Sequence, residues 1–301
     1  MPTHNRADVV GYAIRSVLGQ TLADFELLIV GDGCTDTTGD VVARFGDPRI
    51  RWFDLPKAPH FGYANRNVAL REARGDLLAF AAHDDLLFPD HLDRLSRAID
   101  ESSADWIYSR PLWVSSDGVI VPYPIDLGRA DQLRVFMTSH NRIPASCVVY
   151  RRDCLDRFGD WPEDVPSGAD WVYWRRIIGG GGQYAGYRLP TVLHFVASWR
   201  RPQRVGQPEA MALLALADAA GGSWPARLRL APRAGESEQA AASRAMQEGG
   251  LDWCGKLRGD VDEVIDRLAW DHVLVLREQA ARTRRSPGHW LSSVLHRVVG
   301  S

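Results

Sequence analysis

Residues 25–30, Phe-Glu-Leu-Leu-Ile-Val, form a short and nearly continuous apolar run that stops at Gly31-Asp32-Gly33. A strand with one wet face alternates apolar and polar side chains. A run that is apolar on both faces must be covered on both, which is the situation of a parallel sheet held between helices. Residues 77–81 repeat the pattern, and the stretches around the two runs carry helical periodicity. In residues 8–20, Val9, Val10, Ala13, Ile14, Val17 and Leu18 recur at helical spacing, with Asp8 placed to cap the start. Residues 37–45 and 63–74 read as helices, the latter stopped by Gly75, with a strand at 50–53 between them. Pro89 suits the first turn of a helix running to about residue 101, and 106–109 follows as a strand. Helix and strand alternate, so the expected architecture is an α/β fold with a mostly parallel sheet.

The later part is wound less regularly. Residues 112–121 around Ser116-Asp117-Gly118 read as a hairpin, and 147–150, 183–189 and 191–196 are the remaining strand candidates. Gly179 to Gly182 is not followed by Lys-Ser or Lys-Thr, so it reads as a turn and not as a phosphate loop. Past Arg200 the texture changes to Ala-rich, charged helical stretches at 209–220, 236–247 and 261–282. The expected division is a domain over residues 1–200 and a helical C-terminal extension over 201–301.

Composition excludes several function classes. A formal net charge of -2 offers no bulk attraction to a phosphate backbone, so nucleic acid is not an expected partner. The four cysteines, Cys34, Cys147, Cys154 and Cys254, contain no C-x-x-C pair, which speaks against a zinc site or a disulfide framework and for reduced thiols in the cytoplasm. The longest run of low polarity, residues 210–220, falls well short of the roughly 20 residues a spanning helix needs. From residue 280 on, Arg282, Arg284, Arg285 and Arg297 accompany Trp290, Leu291, Val294, Leu295 and Val298 at helical spacing. That helix either lies on an anionic membrane surface, as a peripheral contact near a lipid-linked acceptor, or packs on its own domain or a second subunit.

In a parallel α/β sheet, ligands bind outside the carboxyl ends of the strands. Two of the strands here end in acids: Asp32 after the first run, and Asp84-Asp85 after the second. A lone Asp in such a place is as readily a turn former as a ligand. Adjacent carboxylates repel unless a cation lies between them. A Mg²⁺ or Mn²⁺ ion shared between one or two carboxylates and a substrate's phosphates supplies that cation, and would neutralise a departing diphosphate.

Pro2-Thr3-His4-Asn5-Arg6, Ser16-Val17-Leu18-Gly19-Gln20-Thr21, residues 25–36, Ala64-Asn65-Arg66-Asn67, and His83-Asp84-Asp85 with Pro89-Asp90 occur in one order. Over roughly residues 2–178 the chain resembles the family 2 inverting glycosyltransferases. The resemblance implies a GT-A fold, a nucleotide diphosphate sugar as donor (a UDP-sugar being expected), a glycan or lipid-linked hydroxyl acceptor of a cell-envelope polysaccharide, and inversion at the sugar carbon. Position by position, Asp32 resembles the residue that hydrogen-bonds the donor base, with Thr3 and His4 lining the same pocket. Arg66 falls where a guanidinium reaches a phosphate or a supporting carboxylate, the alternative being a surface ion pair; Asn67 is expected to brace a loop. Asp84 resembles the second acid of the D-x-D metal motif and Asp85 the acid beside it. Ala82 stands where the first acid is expected, with His83 as a substitute contact. His194 corresponds to a late histidine that some GT-A enzymes add to the metal, or is a structural histidine.

The general base resembles Asp170, in Gly168-Ala169-Asp170-Trp171, where Ala169 replaces a family Glu. One carboxylate suffices for inversion; the alternative is that Asp170 only caps the helix of residues 171–178. Trp171, Trp174 and Trp199 either stack on an acceptor sugar or fill core, and core is the expectation for Trp174. With Ala82 and Ala169 both in place of acids, the rival to an enzyme is a catalytically eroded protein that binds a nucleotide sugar without transferring it. The resemblance further implies an apolar first strand whose final position is Met1, so the first strand is expected to be truncated and the natural start to lie upstream.

Overall fold

The computed structural model describes residues 1–115, 118–139, 141–195 and 224–265. It has two compact units. The first consists of Met1–Pro111 and Ile125–His194, and the second takes Leu112–Pro124 together with Phe195 and the later chain. The boundary expected near residue 200, Trp199, the helix at 209–220 and the basic C-terminal helix lie outside the described residues.

In the first unit, β1 (Pro2–Thr3), β2 (Leu27–Asp32) and β3 (Ile50–Leu55) form an all-parallel sheet, with Pro2 opposite Val30 and Asp32 opposite Leu55. Between them run α1 (Val10–Leu18) and α2 (Thr38–Ala43). Val10, Ala13, Ile14 and Val17 are the buried stripe of α1, as their spacing predicts. Asp8 does not cap this helix: Val9 is the N-cap, with no side-chain cap bond, and the Val9 and Val10 N–H groups donate to the Arg6 carbonyl at 3.2 and 2.9 Å.

Next come α3 (Tyr63–Arg71), β4 (Leu77–Ala79), the short β5 (Leu86–Leu87) and α4 (His91–Ser102). Pro89 precedes α4 rather than opening it. The helix starts one residue after its N-cap Asp90, and a distant side chain, Gln20, serves the entry: its Oε1 accepts from Leu92 N at 2.9 Å while its Nε2 donates to the Phe88 carbonyl at 2.7 Å.

β6 (Trp106–Ser109) follows, and the hairpin strands β7 (Leu112–Val114) and β8 (Ile120–Pro122) belong to the second unit. Back in the first unit are α5 (Ala130–Thr138), β9 (Val148–Arg151), α6 (Cys154–Phe158), α7 (Ala169–Gly179), β10 (Tyr184–Tyr187) and all but the last residue of β11 (Val192–Phe195). A second sheet has the order β10-β6-β9-β4. β10 and β6 are parallel, whereas β9 runs antiparallel to both β6 and β4. β11 pairs antiparallel with β5, Leu193 opposite Leu86.

The core of this unit is aromatic. Trp106 stacks on Trp174 with centroids 5.2 Å apart and planes at 17°, Tyr150 meets Trp174 edge-on at 5.2 Å, and Trp161 stacks on Phe80 at 5.4 Å. Trp174 is therefore core, fully buried with Tyr173 and Ile177 on α7. That anchoring fixes where the first turn of α7, which carries Asp170, projects.

In the second unit the hairpin is joined to the later chain by a bridge between Val119 and Arg229. Its helix α8 (Glu238–Ile265) is broken at Gly250, where φ is 52° and ψ -139°. No described helix is long and apolar enough to cross a membrane.

Candidate functional site

The carboxyl ends of β1 and β2 gather the first set of expected residues. Asp32 is buried at the end of β2, where it accepts from Ala58 N at 2.8 Å and from Asn65 Nδ2 at 2.7 Å, and forms an ion pair with Lys57. His4 Nδ1 lies 2.8 Å from the Asp32 carbonyl. A carbonyl only accepts, so this nitrogen carries the proton. Thr3 is buried beside them, and among the described residues its hydroxyl has no hydrogen-bond partner. Gly62, at φ 69°, packs against the carboxylate so closely that a Cβ there would stand 2.5 Å from Asp32 Cγ. Nothing in the sequence marks Lys57, Asn65 and Gly62 as partners of Asp32. Asn65 lay within a recognisable segment, but Lys57 follows β3 with no local signal.

The second set lies after β4. His83 Nδ1 donates to the Pro2 carbonyl at 3.0 Å, which ties this end to β1, and His83 Nε2 lies 3.7 Å from Asp84 Oδ2. Asp84 and Asp85 are both buried, yet their surroundings differ. Asp85 Oδ1 accepts from His194 Nδ1 at 2.9 Å, and Asp85 Oδ2 accepts from Ser146 Oγ at 2.6 Å. The Ser146 oxygen itself accepts from Ala82 N at 3.0 Å, so its proton points at Asp85. Antiparallel pairing of β5 with β11 sets Val192 opposite Leu87 and Leu193 opposite Leu86, and continuing that register brings His194 to Asp85. The structure therefore brings Asp85 and His194 together, but as a hydrogen-bonded pair. Among the described residues no three His, Cys, Asp or Glu side chains converge as a ready metal cage. The donor set fits a hard ion, Mg²⁺ or Mn²⁺, shared between the Asp84 carboxylate and a ligand's phosphates.

Asp170 sits in the first turn of α7. Its N-cap is Gly168 at φ 72°, so Asp170 does not occupy the capping position. Asn141 Nδ2 donates to Asp170 Oδ2 at 3.0 Å. The Asn141 amide is itself oriented, because its Oδ1 accepts from Ile143 N at 2.8 Å. Burial pushes the Asp170 carboxyl above its ordinary range, opposed by the Trp171 N–H, the charge of Arg66 and the Asn141 amide. Arg66 lies over the rings of Tyr63 at 4.7 Å and Phe80 at 5.3 Å. Asn67, fully buried, donates to the Trp161 carbonyl and to Glu163 Oε1, both at 2.8 Å, and so braces that loop. Trp171 donates its indole N–H to the Phe136 carbonyl at 2.6 Å and carries the Arg175 guanidinium over its ring at 4.8 Å.

Several known proteins are similar to this chain in sequence or in architecture. A glycosyltransferase of Bacillus subtilis, YwdF, uncharacterized by its name, is 29% identical over 182 residues, which are 58% of this chain and 65% of that protein. The succinoglycan biosynthesis protein ExoO of Rhizobium meliloti is 28% identical over 193 residues, 60% of this chain and 55% of that one. An Escherichia coli protein, UDP-Glc:alpha-D-GlcNAc-diphosphoundecaprenol beta-1,3-glucosyltransferase WfgD, is 29% identical over 120 residues, 40% of this chain and 47% of its own. The chain thus spans about half to two thirds of the length of these curated relatives. Among solved structures, S. aureus TarS 1-349 in complex with UDP-GlcNAc superposes with a TM-score of 0.56 at 20% identity, over 73% of this chain and 65% of that one. The mannosyltransferase PcManGT of Pyrobaculum calidifontis, in complex with GDP-Man and Mn²⁺, gives 0.51 at 16% identity, over 99% and 84%. At such identities these likenesses establish the architecture, which is the GT-A fold. The sequence model of Glycosyl transferase family 2 matches residues 1–159, and the chain belongs to that family.

Proposed function

We propose that the protein transfers a glycosyl group from a nucleotide diphosphate sugar to an acceptor hydroxyl with inversion, Asp170 acting as the general base. The observation that carries this reading is the placement of Asp170: a lone, half-buried carboxylate on a helix anchored by the aromatic core, oriented by Asn141 and facing the charge of Arg66. Asp170 takes the proton from the acceptor hydroxyl as its oxygen attacks the anomeric carbon. The bond from that carbon to the diphosphate oxygen breaks on the opposite face, and the nucleoside diphosphate leaves with the electron pair. Thr3, His4 and Asp32 hold the nucleoside, with the Thr3 hydroxyl, which has no partner among the described residues, available to it. A Mg²⁺ or Mn²⁺ ion held by Asp84, when bound, neutralises charge on the diphosphate. The name of WfgD supports a UDP-sugar as donor and a lipid-linked acceptor, and the UDP-GlcNAc bound by TarS supports the same class of donor.

The experiment that separates transfer from binding alone is hydrolysis of UDP-sugars by the purified protein, with and without Mn²⁺. Slow metal-stimulated release of UDP is expected, and its complete absence with every UDP-sugar that binds favours the eroded binding protein suggested by Ala82 and Ala169. Asp84→Ala is expected to abolish the dependence of UDP affinity on Mn²⁺ while leaving the fold intact; equal affinity with and without the ion in the unchanged protein removes the metal from this reading. Gly62→Ala is expected to weaken UDP binding by about tenfold, or ~1.4 kcal/mol, because the new Cβ must displace the Asp32 carboxylate. An unchanged dissociation constant in calorimetry would take Asp32 out of the nucleoside pocket.

A further inference from the structure

β6 and β10 run parallel and in register, Trp106 opposite Tyr184 through Ser109 opposite Tyr187. The next step of that register sets Arg110 beside Arg188, and the ladder continues through a hydrogen bond of 3.1 Å from Arg110 N to the Tyr187 carbonyl. Two arginines are thus placed in register at the carboxyl ends of adjacent parallel strands, where parallel sheets bind ligands. Both arginines line one cavity of about 180 Å³, together with Tyr108, Tyr184, Tyr187 and Asp126. Side chains alternate along a strand, so Tyr108 and Arg110 share a face of the sheet with Tyr184, Gly186 and Arg188. Gly186 makes room there, since a Cβ on it would stand 2.9 Å from the Tyr108 hydroxyl.

The aromatic walls are fixed. The Tyr108 hydroxyl accepts from Leu127 N at 2.8 Å, and the Tyr184 hydroxyl donates to the Leu127 carbonyl at 3.0 Å. On the opposite face the Tyr187 hydroxyl accepts from Arg94 at 3.2 Å. Asp126 is the one carboxylate of the lining, and its Oδ1 accepts from Gly128 N at 2.9 Å. The lining thus places two arginines and one carboxylate around the ring of Tyr184. Ligand pockets for drug-sized molecules run from about 300 to 1,000 Å³, so this smaller cavity is on the scale of a single sugar. None of its residues is among those assigned to the donor.

We propose that this cavity binds an anionic monosaccharide unit, a sugar bearing a phosphate or carboxylate, with Arg110 and Arg188 gripping the anion and Tyr184 packing on the ring. Planar guanidinium forks match both oxyanions, and fixed rings lose little freedom when a sugar lies against them. That the unit is part of the acceptor rests on the glycosyl-transfer reading, whereas the binding itself does not.

The test is titration of the protein, with UDP present to fill the donor site, by glucose 1-phosphate, methyl glucuronide, neutral methyl glucoside and inorganic phosphate, followed by protein-observed NMR. Millimolar binding of one or both charged sugars is expected, and which of them binds more tightly identifies phosphate or carboxylate as the recognised group. Arg188→Gln, in an exposed side chain, and Arg110→Gln are each expected to weaken this binding about tenfold, with UDP affinity unchanged as the control for folding. The proposal is overturned if the neutral glucoside or bare phosphate binds as tightly as the charged sugars, if none binds at millimolar concentration, or if both variants bind like the parent. Loss of UDP binding in the parent protein, with charged sugars still held, would instead remove the donor assignment and leave this site standing.

Discussion

Asp170→Asn is expected to lower kcat at pH 7 by about 10²–10⁴-fold, the scale of losing a general base, with the KM for donor little changed. The amide keeps the shape of the carboxylate and still accepts from Asn141, so the loss isolates proton removal. Near-parental turnover would end the assignment. The same group is expected to set the acid limb of the pH profile. Burial holds its pKa above the ordinary value of 3.8, so activity in kcat/KM falls as pH drops through that raised value, at a higher pH than an exposed aspartate would give. Asn141→Ala removes a bond that favours the charged form, and the limb is expected to move further up. The linkage to stability has the opposite sense. A carboxyl whose folded pKa is raised contributes stability that is fully present below 3.8 and is lost as pH rises through the folded value. Relative to the parent, Asp170→Asn is therefore expected to gain stability between acid and neutral pH. Urea denaturation at the two ends of that window checks it, and a variant whose relative stability is flat across the window contradicts the burial argument.

The sheet core is legible in the sequence because its strands are short apolar runs, and β2 and β6 are buried almost throughout. Residues 77–81 and 106–109 became β4 and β6 with boundaries shifted by no more than two residues. What the sequence did not reveal depends on partners far away along the chain. Asp8 looks like a cap, but its helix begins two residues later because the Arg6 carbonyl takes the first N–H groups. The direction of β9 and the existence of β5 follow from pairing, and no local pattern encodes pairing. The same limit applies to the site. The acids were found because they end strands, whereas the groups that set their chemistry come from elsewhere: Lys57 and Asn65 for Asp32, Asn141 for Asp170, Ser146 and His194 for Asp85. Adjacency of Asp84 and Asp85 suggested one shared role, and only tertiary contacts separate the two.

That separation predicts a large and specific effect. Asp85→Ala is expected to cost about 2–5 kcal/mol of folding stability, because it strands a Ser146 hydroxyl whose only direction is toward residue 85 and leaves His194 Nδ1 without the carboxylate it donates to. Against a total of roughly 5–15 kcal/mol for a folded domain, such a loss is read readily as a fall in melting temperature of about 2–4 °C per kcal/mol. Asp84→Ala leaves that hydrogen-bonded chain intact and is expected to cost much less. The decisive comparison is metal dependence. A residue that acts by holding an ion loses its influence when chelator removes the ion, whereas a residue that fastens β5 to β11 matters equally in chelator and in Mn²⁺. Equal destabilisation of Asp85→Ala under both conditions, beside Mn²⁺-dependent UDP binding that fails only in Asp84→Ala, would assign the ion to Asp84 and the framework to Asp85. A variant at position 85 that is as stable as the parent in chelator but loses Mn²⁺-dependent binding would reverse the assignment, and would mean that the bond to His194 yields to a metal when the donor arrives.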